Sequence, residues 1–467
     1  VSETHDHQIP ALNVGLRWNR LDQPATATGA RLLFCLSFAV FLPYFVLAIP
    51  VTSGPNGTLG PPLPGDSQDY DSIGLNLARG RGFGGFNDDP EWRAPYEANN
   101  HQGMYDGILA RKGGYQPTAN RPPAFPFLLS IIYRCVGRSF FAARLANAFL
   151  LSLAVSITVT LAARYVSISC ACVVIILALA DGVLRSQTGA YMTEALAVCT
   201  LAVFLWATLA AVQAPNAWRM FLAGGCLGLL ILSRSLYVLW MPPLVVLIGY
   251  CMQLPKSAKL LRRVSLTSLF LAGALLTLAP WWARNCLALQ AFMPLGTQGG
   301  FNLASGYSDD IIENNGHWTP APTQRILAQN SHKFETLEGS IFREREECQL
   351  YEAHAIEWIK ANYFKLPQLA ALKLIAHWLP GYDFVGGLLR VLAVLGCVCG
   401  IRSSFVRFCL AVLVIDSLSI AATHEDFHRF IVVVYPILYL LAAIGALQFA
   451  RWLGDILARH ACDPVRN

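Results

Sequence analysis

The chain has 467 residues and a formal charge of +6, with 55% of its residues hydrophobic and 14% charged; soluble domains carry about 25% charged residues. Those figures exclude a string of soluble domains, and the apolar content excludes bulk disorder. A polytopic membrane protein remains, in which a mild positive charge reads as topology information rather than a nucleic-acid footprint.

Residues 1–29 are polar, with no apolar core ahead of a cleavage site, so no signal peptide is expected and the first apolar run would serve as the anchor. A helix needs about 20 apolar residues to cross a bilayer. Ten runs are candidates: 32–51, 141–163, 168–184, 191–213, 220–233, 235–252, 264–283, 386–401, 405–423 and 430–450. The stretch 220–252 is too long for one crossing and divides at Ser233-Arg234-Ser235. Residues 123–137 are too short to span comfortably and are expected to lie in the interface or to re-enter. The expected organisation is an all-α membrane protein. A cytoplasmic tail (1–29) precedes a transmembrane domain (30–453) with two long outer regions, about 53–139 and 285–385, and a cytoplasmic tail (454–467) follows.

Short-loop charges support this orientation. Arg17, Arg20, Arg31, Arg164, Arg219, Lys256, Lys259, Arg262, Arg263, Arg402, Arg407, Arg451, Arg459 and Arg466 fall on the cytoplasmic side, against Arg185, Arg234 and Arg429 on the other. Positive charge gathers on the cytoplasmic side of short loops. The three exceptions sit at outer helix ends, as does Glu194. Ionisable groups at membrane depth usually face a cavity or a partner; the alternative is a headgroup anchor.

The first outer region opens with Asp66, Asp69 and Asp71. Tyr70, Ile73, Leu75 and Leu77 can line one side of a short helix along the membrane, and Gly80, Gly82, Gly84 and Gly85 release the chain. Arg121 then precedes Pro122-Pro123-Ala124-Phe125-Pro126, at the level of a lipid phosphate. In the second outer region, 335–360 is charge-rich and reads mostly as a solvated helix face. Residues 366–380 return to the membrane with His377 and Trp378 at interface depth. Asn302 and Tyr307 read as a polar turn, with substrate contact as the alternative. Cys286 and Cys348 could pair; Cys170, Cys172, Cys397, Cys399 and Cys409 lie in apolar runs, as small hydrophobes do. There is no P-loop, and Gly80–Gly85 is no dinucleotide loop because no buried strand precedes it. Asn56-Gly57-Thr58 fits a glycosylation sequon.

Asp66, Tyr70, Ile73, Asn76, Leu77, Gly80, Gly82 and Phe83 resemble the signature that opens the first outer loop of GT-C-type glycosyltransferases. These membrane enzymes use polyprenyl-phosphate sugars and include the protein mannosyltransferases and the aminoarabinose transferases. The following segments keep the family order: RPPAFPFLLSIIY (121–133), ARLANAFL (143–150), TEAL (193–196), APWWARNCLALQAFMPLGTQGGFNL (279–303) and RFIVVVYPILYLLAAIG (429–445). Ser233-Arg234-Ser235 sits where the family often has Arg-Pro, and the missing proline is a departure. The resemblance implies a polyprenyl-phosphate sugar donor, a lipid, glycan or protein acceptor, contact with membrane lipids and no nucleic acid. It favours a bacterial inner membrane over the endoplasmic reticulum, with the reacting centre on the extracytoplasmic face.

By its place in the family signature, Asp66 is the expected general base, able to take the acceptor proton as the new bond forms. Asp69 is its rival, or else a cap for the helix that follows. Glu194 is expected to orient the acceptor or a divalent cation, or simply to favour a helix start. Developing phosphate charge is best held by fixed cationic donors: Arg429 first, then Arg121, Arg284 and Arg234, with Tyr70 beside them. His424-Glu425-Asp426-Phe427-His428 reads HExxH. On a helix it would put His424 and His428 one turn apart on zinc, with Glu425 acting on bound water. A zinc metalloprotease is thus one alternative function. A multi-helix transporter or lipid flippase is another, although no internal repeat is visible.

Overall fold

A computed structural model describes residues 23–49, 60–62, 65–255, 260–337, 339–379, 383–425 and 429–461. The sequon at 56–58, most of the first tail, the end of the last, Lys256, Lys259 and His428 lie outside those residues. In chain order the principal helices are α1 (Ala27–Leu47), α2 (Asp66–Ala78), α3 (Ala124–Val136), α4 (Phe140–Tyr165), α5 (Ile168–Ala180), α6 (Glu194–Gln213), α7 (Ala217–Ser233), α8 (Met241–Cys251), α9 (Leu260–Leu289), α10 (Gln298–Gly306), α11 (Ile341–Ala361), α12 (Leu366–Trp378), α13 (Phe384–Gly400), α14 (Ser404–Ala421) and α15 (Tyr435–Ala461).

Every one of the ten predicted runs falls on a helix. Among the described residues, six helices are long and apolar enough to cross a membrane: α1, α4, α6, α9, α14 and Ile431–Leu457, which includes most of α15. The remaining four runs coincide with shorter apolar helices. The run predicted over 168–184 is interrupted at Asp181, whose Oδ1 accepts the Leu184 N–H at 2.8 Å and whose Oδ2 accepts the Tyr439 hydroxyl at 2.7 Å. An Asp that caps the following turn must leave the helix before it.

The last span is the axis of the bundle. Every residue from 431 to 445 is buried, the fate of a helix that is apolar on all faces. Hydroxyls within α4 are satisfied by its own backbone: Ser152 donates to the Ala148 carbonyl at 2.6 Å and Ser156 to that of Ser152 at 2.7 Å. Helices α7 and α9 meet backbone to backbone. A Cβ on Gly224 would strike the Phe270 carbonyl, and one on Gly273 the Phe221 carbonyl, the small-residue contact by which membrane helices approach closely.

The bundle has two distinct ends. At one, the Ala25 N–H donates to the Ala163 carbonyl at 2.8 Å and that of Gln253 to Val212 at 2.9 Å. At the other, Tyr44 donates to the Leu179 carbonyl at 2.8 Å, and both long polar regions gather there. Helix α2 lies on α3, with the place of a Gly74 Cβ 2.8 Å from Leu129 Cβ. It is pinned by Asp71, which receives the hydroxyls of Tyr96 (2.8 Å) and Tyr133 (2.6 Å) and Nη2 of Arg138 (2.5 Å). A short antiparallel pair, Gly84–Phe86 with Tyr115–Pro117, closes the first region. At 13 residues, α3 is too short to span comfortably and packs on α2 instead. Cys286 and Cys348 are both free thiols, so the bridge raised from the sequence does not form.

Candidate active site

Asp66 occupies the first turn of α2. Gly65, at φ 137°, turns the chain into the helix, and its N–H donates to Gln68 Oε1 at 2.8 Å. Asp66 and Asp69 both fall in the first turn, where the helix dipole favours negative charge. Arg121, three residues ahead of α3, bridges them: its Nη2 lies 2.9 Å from Asp66 Oδ1 and 2.5 Å from Asp69 Oδ2. Its guanidinium also lies 5.8 Å from the centroid of the Tyr70 ring.

The row continues on the other side of Asp66. Arg429, from the turn before the last span, places Nη1 3.6 Å from Asp66 Oδ2 and Nε 2.9 Å from Glu194 Oε1. Arg234, at the break after α7, brings Nη1 to 3.3 Å from the same Glu194 oxygen and sets its guanidinium 4.3 Å from the Phe430 ring centroid. Asp69, Arg121, Asp66, Arg429, Glu194 and Arg234 thus alternate in sign, and their formal charges cancel. Burial works to raise the Asp66 carboxyl, but Arg121, Arg429 and Arg234 outweigh it and hold the group below its ordinary 3.8. Burial likewise works against the charge of Arg121, and its two aspartates prevail, raising it. Tyr70 is buried, and burial together with Asp66 pushes its hydroxyl up.

Asp66 and the three arginines of this row form one wall of a cavity of about 490 Å³. The opposite wall comes from the second outer region: Gln298, Phe301 and Asn302 of α10, Trp318, and Glu344, Glu347, Cys348 and Tyr351 of α11. The two helices touch closely, because a Cβ on Gly300 would strike the Cys348 carbonyl. Glu344 ties the walls together. It accepts from the Thr118 hydroxyl at 2.6 Å, the Ala119 N–H at 2.9 Å and the Thr297 hydroxyl at 3.0 Å. Burial raises its carboxyl above the usual range against those hydrogen bonds.

Of the residues singled out from the sequence, Asp66, Tyr70, Arg121, Arg234, Arg429 and His424 line the cavity. Asp69 and Glu194 pair with its arginines from behind. Arg284 is not brought in: it donates to the Phe83 carbonyl at 3.1 Å and to Asn285 Oδ1 at 3.0 Å. The helical HExxH weighed as an alternative at 424–428 is not formed at its start. Helix α14 ends at Ala421, and Glu425 pairs as an isolated bridge with His317. The Glu425 carboxylate meets His317 Nδ1 at 2.8 Å, and its carbonyl accepts the Trp318 N–H at 2.9 Å. Among the described residues, no group of three His, Cys, Asp or Glu side chains is placed to hold a metal.

Helix α11 corrects the reading of a solvated face in part. Ile341, Cys348, Tyr351 and Ala355 are buried, and Glu344 lies on the same stripe. The spacing of those residues at three, four and seven positions was the signal available in the sequence. Asn302, read as a polar turn, lies on α10 and faces the cavity.

Residues 120–283 match the family model described as dolichyl-phosphate-mannose-protein mannosyltransferase. That segment contains Arg121, Glu194 and Arg234 but neither Asp66 nor Arg429. No curated protein sequence matches the chain. The fold is similar to that of the archaeal oligosaccharyltransferase AglB from Archaeoglobus fulgidus, solved with an inhibitory peptide and a dolichol-phosphate. The two share 14% identity at a TM-score of 0.53, over 94% of this chain and 52% of AglB; the chain therefore spans about half the length of that protein. Two structures of ArnT from Cupriavidus metallidurans are also similar. The apo form shares 16% identity at a TM-score of 0.37, over 90% of this chain and 77% of ArnT. The form bound to undecaprenyl phosphate shares 14% at 0.40, over 90% and 78%. The family match agrees over residues 120–283 with the resemblance read from the motifs, and the likeness to AglB bears out the all-α membrane fold.

Proposed function

We propose that this protein transfers a sugar from a polyprenyl-phosphate donor to an acceptor hydroxyl at the loop-bearing end of the bundle. In this reading that end is extracytoplasmic, in a bacterial inner membrane. The observation that carries the reading is the row of alternating carboxylates and guanidiniums along one cavity wall. It provides, within hydrogen-bonding reach of one another, a base for a hydroxyl and fixed cations for a departing phosphate. The dolichol-phosphate bound to AglB supports a lipid-phosphate leaving group, and the family model supports a mannose-like sugar.

The chemistry follows from the placement. The donor phosphate binds against Arg121, Arg234 and Arg429 and draws part of their charge from Asp66 and Glu194. The Asp66 carboxyl, held low in the free protein, rises as the arginines turn to the phosphate and becomes a better base. The acceptor oxygen attacks the anomeric carbon while Asp66 takes its proton. The bond from that carbon to the phosphate oxygen breaks, and its electron pair leaves on the polyprenyl phosphate, stabilised by the guanidiniums. A single displacement of this kind inverts the anomeric centre. Tyr70 stays protonated and packs beneath Arg121.

The test is transfer of labelled sugar. Purified wild type and Asp66→Asn are given a panel of polyprenyl-phosphate sugars with a crude mixture of membrane and protein acceptors. Consumption of one donor by wild type but not by a folded Asp66→Asn supports both the reaction and the base. Equal turnover by both removes Asp66 from the role. Survival of every donor with wild type removes the reaction.

A further inference from the structure

The cavity wall opposite the arginines has a chemistry that the transfer step does not use. Phe301 and Trp318 lie with ring centroids 5.7 Å apart at 49°, and Phe301 and Tyr351 at 6.1 Å and 69°. All three line the cavity beside the amides of Gln298 and Asn302. The face of an aromatic ring is negatively polarised and attracts the weakly positive C–H groups on the apolar side of a sugar ring. Side-chain amides offer the donors and acceptors that sugar hydroxyls need.

His424 adds a second, independent sign of a ligand. It lines the same cavity, and its buried Nδ1 has no hydrogen-bond partner among the described residues. Such a group normally has a partner. The turn that carries it is fixed on both sides by the second outer region. Tyr307 donates to the Ala422 carbonyl at 2.8 Å, Lys373 to that of Thr423 at 2.5 Å, and the Trp318 N–H to that of Glu425 at 2.9 Å. A Cβ on Gly306 would lie 3.3 Å from His424 Cβ, so α10 packs directly on the turn. The ring edge rests on Phe430 at 5.2 Å. Burial, with Lys373, Arg234 and Arg429 nearby, pulls the imidazole down to about 3, so it is neutral at physiological pH. A neutral imidazole has one donor and one acceptor nitrogen, a match for a hydroxyl.

We propose that Phe301 and Trp318 form the stacking face of a sugar-ring subsite, with His424, Gln298 and Asn302 as the partners of its hydroxyls. The volume of about 490 Å³ falls within the range of about 300–1,000 Å³ for small-molecule pockets. The ring can be that of the donor or that of a glycan acceptor; the recognition chemistry is shared. The assignment of the ring to donor or acceptor rests on the proposed transfer, but the subsite itself does not.

Saturation-transfer NMR on the detergent-solubilised full chain tests it. The probes are methyl α-D-mannopyranoside, methyl β-D-glucopyranoside and methyl β-D-galactopyranoside, with xylitol as a control that has hydroxyls but no ring. Wild type is expected to saturate the protons on one face of at least one glycoside and not xylitol. Loss of one aromatic contact in Trp318→Leu should weaken binding about fivefold, and Trp318→Phe should restore it. His424→Ala should weaken it while leaving the same ring face saturated. Equal elution profiles and unfolding midpoints guard against misfolding. No transfer to any glycoside, equal transfer to xylitol, or an unchanged signal in a folded Trp318→Leu overturns the subsite. Donor titration then separates the sources. A raised donor KM in Trp318→Leu assigns the ring to the donor, and an unchanged donor KM with a lower rate at limiting acceptor assigns it to the acceptor. Glycoside binding by a wild type that consumes no donor would leave the subsite standing and remove the transferase reading.

Discussion

Asp66 and Asp69 share one arginine, and their separate neutralisation tests the assignment of roles. Asp66 faces the cavity between Arg121 at 2.9 Å and Arg429 at 3.6 Å, whereas Asp69 meets Arg121 at 2.5 Å and Arg111 at 3.3 Å. Asp66→Asn removes the base, and a positioned general base contributes about 10²–10⁴-fold to the rate. The loss should appear in kcat, since the arginines remain to bind the donor. Asp69→Asn leaves Asp66 and its two arginines in place and removes one of the two carboxylates that orient Arg121. Hydrogen bonds to charged groups contribute about 1.5–3 kcal/mol. The Asp69 side chain is 30% exposed, so the lower end applies, equivalent to about a tenfold rise in donor KM. The assay is initial-rate transfer from a polyprenyl-phosphate sugar across a donor titration, repeated from pH 3 to 8. Because its arginines hold the free Asp66 carboxyl below 3.8, kcat/KM should stay flat as pH falls to about 4 and drop only below it. The kcat limb should lie higher, since bound phosphate takes up part of the arginine charge. An Asp69→Asn variant as inactive as Asp66→Asn, or a kcat/KM limb above pH 5, would refute the reasoning.

Other outcomes follow from the same geometry. Arg429→Met strips a partner from both Asp66 and Glu194; donor KM should rise at least about tenfold, measured by donor titration, and an unchanged KM would remove Arg429 from phosphate binding. Glu194→Gln removes the charge shared by Arg234 and Arg429, so the variant should unfold at lower temperature yet bind polyprenyl phosphate more tightly, seen as stronger product inhibition. Gly300→Ala forces α10 from the Cys348 carbonyl; overpacking of this kind costs about 1–3 kcal/mol, visible as a lowered unfolding midpoint. With its imidazole pulled down to about 3, His424 should give no NMR titration between pH 5 and 8, and a midpoint near 6.5 would show that it is solvated.

The helices were legible because their signals are local. A bilayer demands long apolar runs, and each predicted run found its helix, even the 220–252 stretch broken at Arg234. The last span, buried from 431 to 445, is apolar on every face there, and α2 begins at Asp66, where the acidic cluster and Gly65 mark a helix start. Asp66, Arg121 and Arg429 could be named because each opens a motif next to an apolar segment. Which of them pair with which could not. Arg284 also lies in a family-like segment (279–303), yet it turns to Phe83, because the direction of a guanidinium depends on what packs around it. Glu344 looked like one charge among many on a solvated helix. Its burial depends on Thr118, Ala119 and Thr297 reaching it from two other segments.

Composition and period by themselves thus determined an all-α membrane chain, the segments that form its apolar helices and the segments carrying ionisable groups at their ends. Those properties depend on solvent transfer and hydrogen bonding within a single segment. Only the tertiary structure decided that Asp69, Arg121, Asp66, Arg429, Glu194 and Arg234 form one row, that Glu425 answers to His317, and that α10 and α11 roof the cavity with aromatic rings. Ion pairs act over a few ångströms between residues as much as 363 positions apart, as with Asp66 and Arg429, and no local pattern encodes that distance.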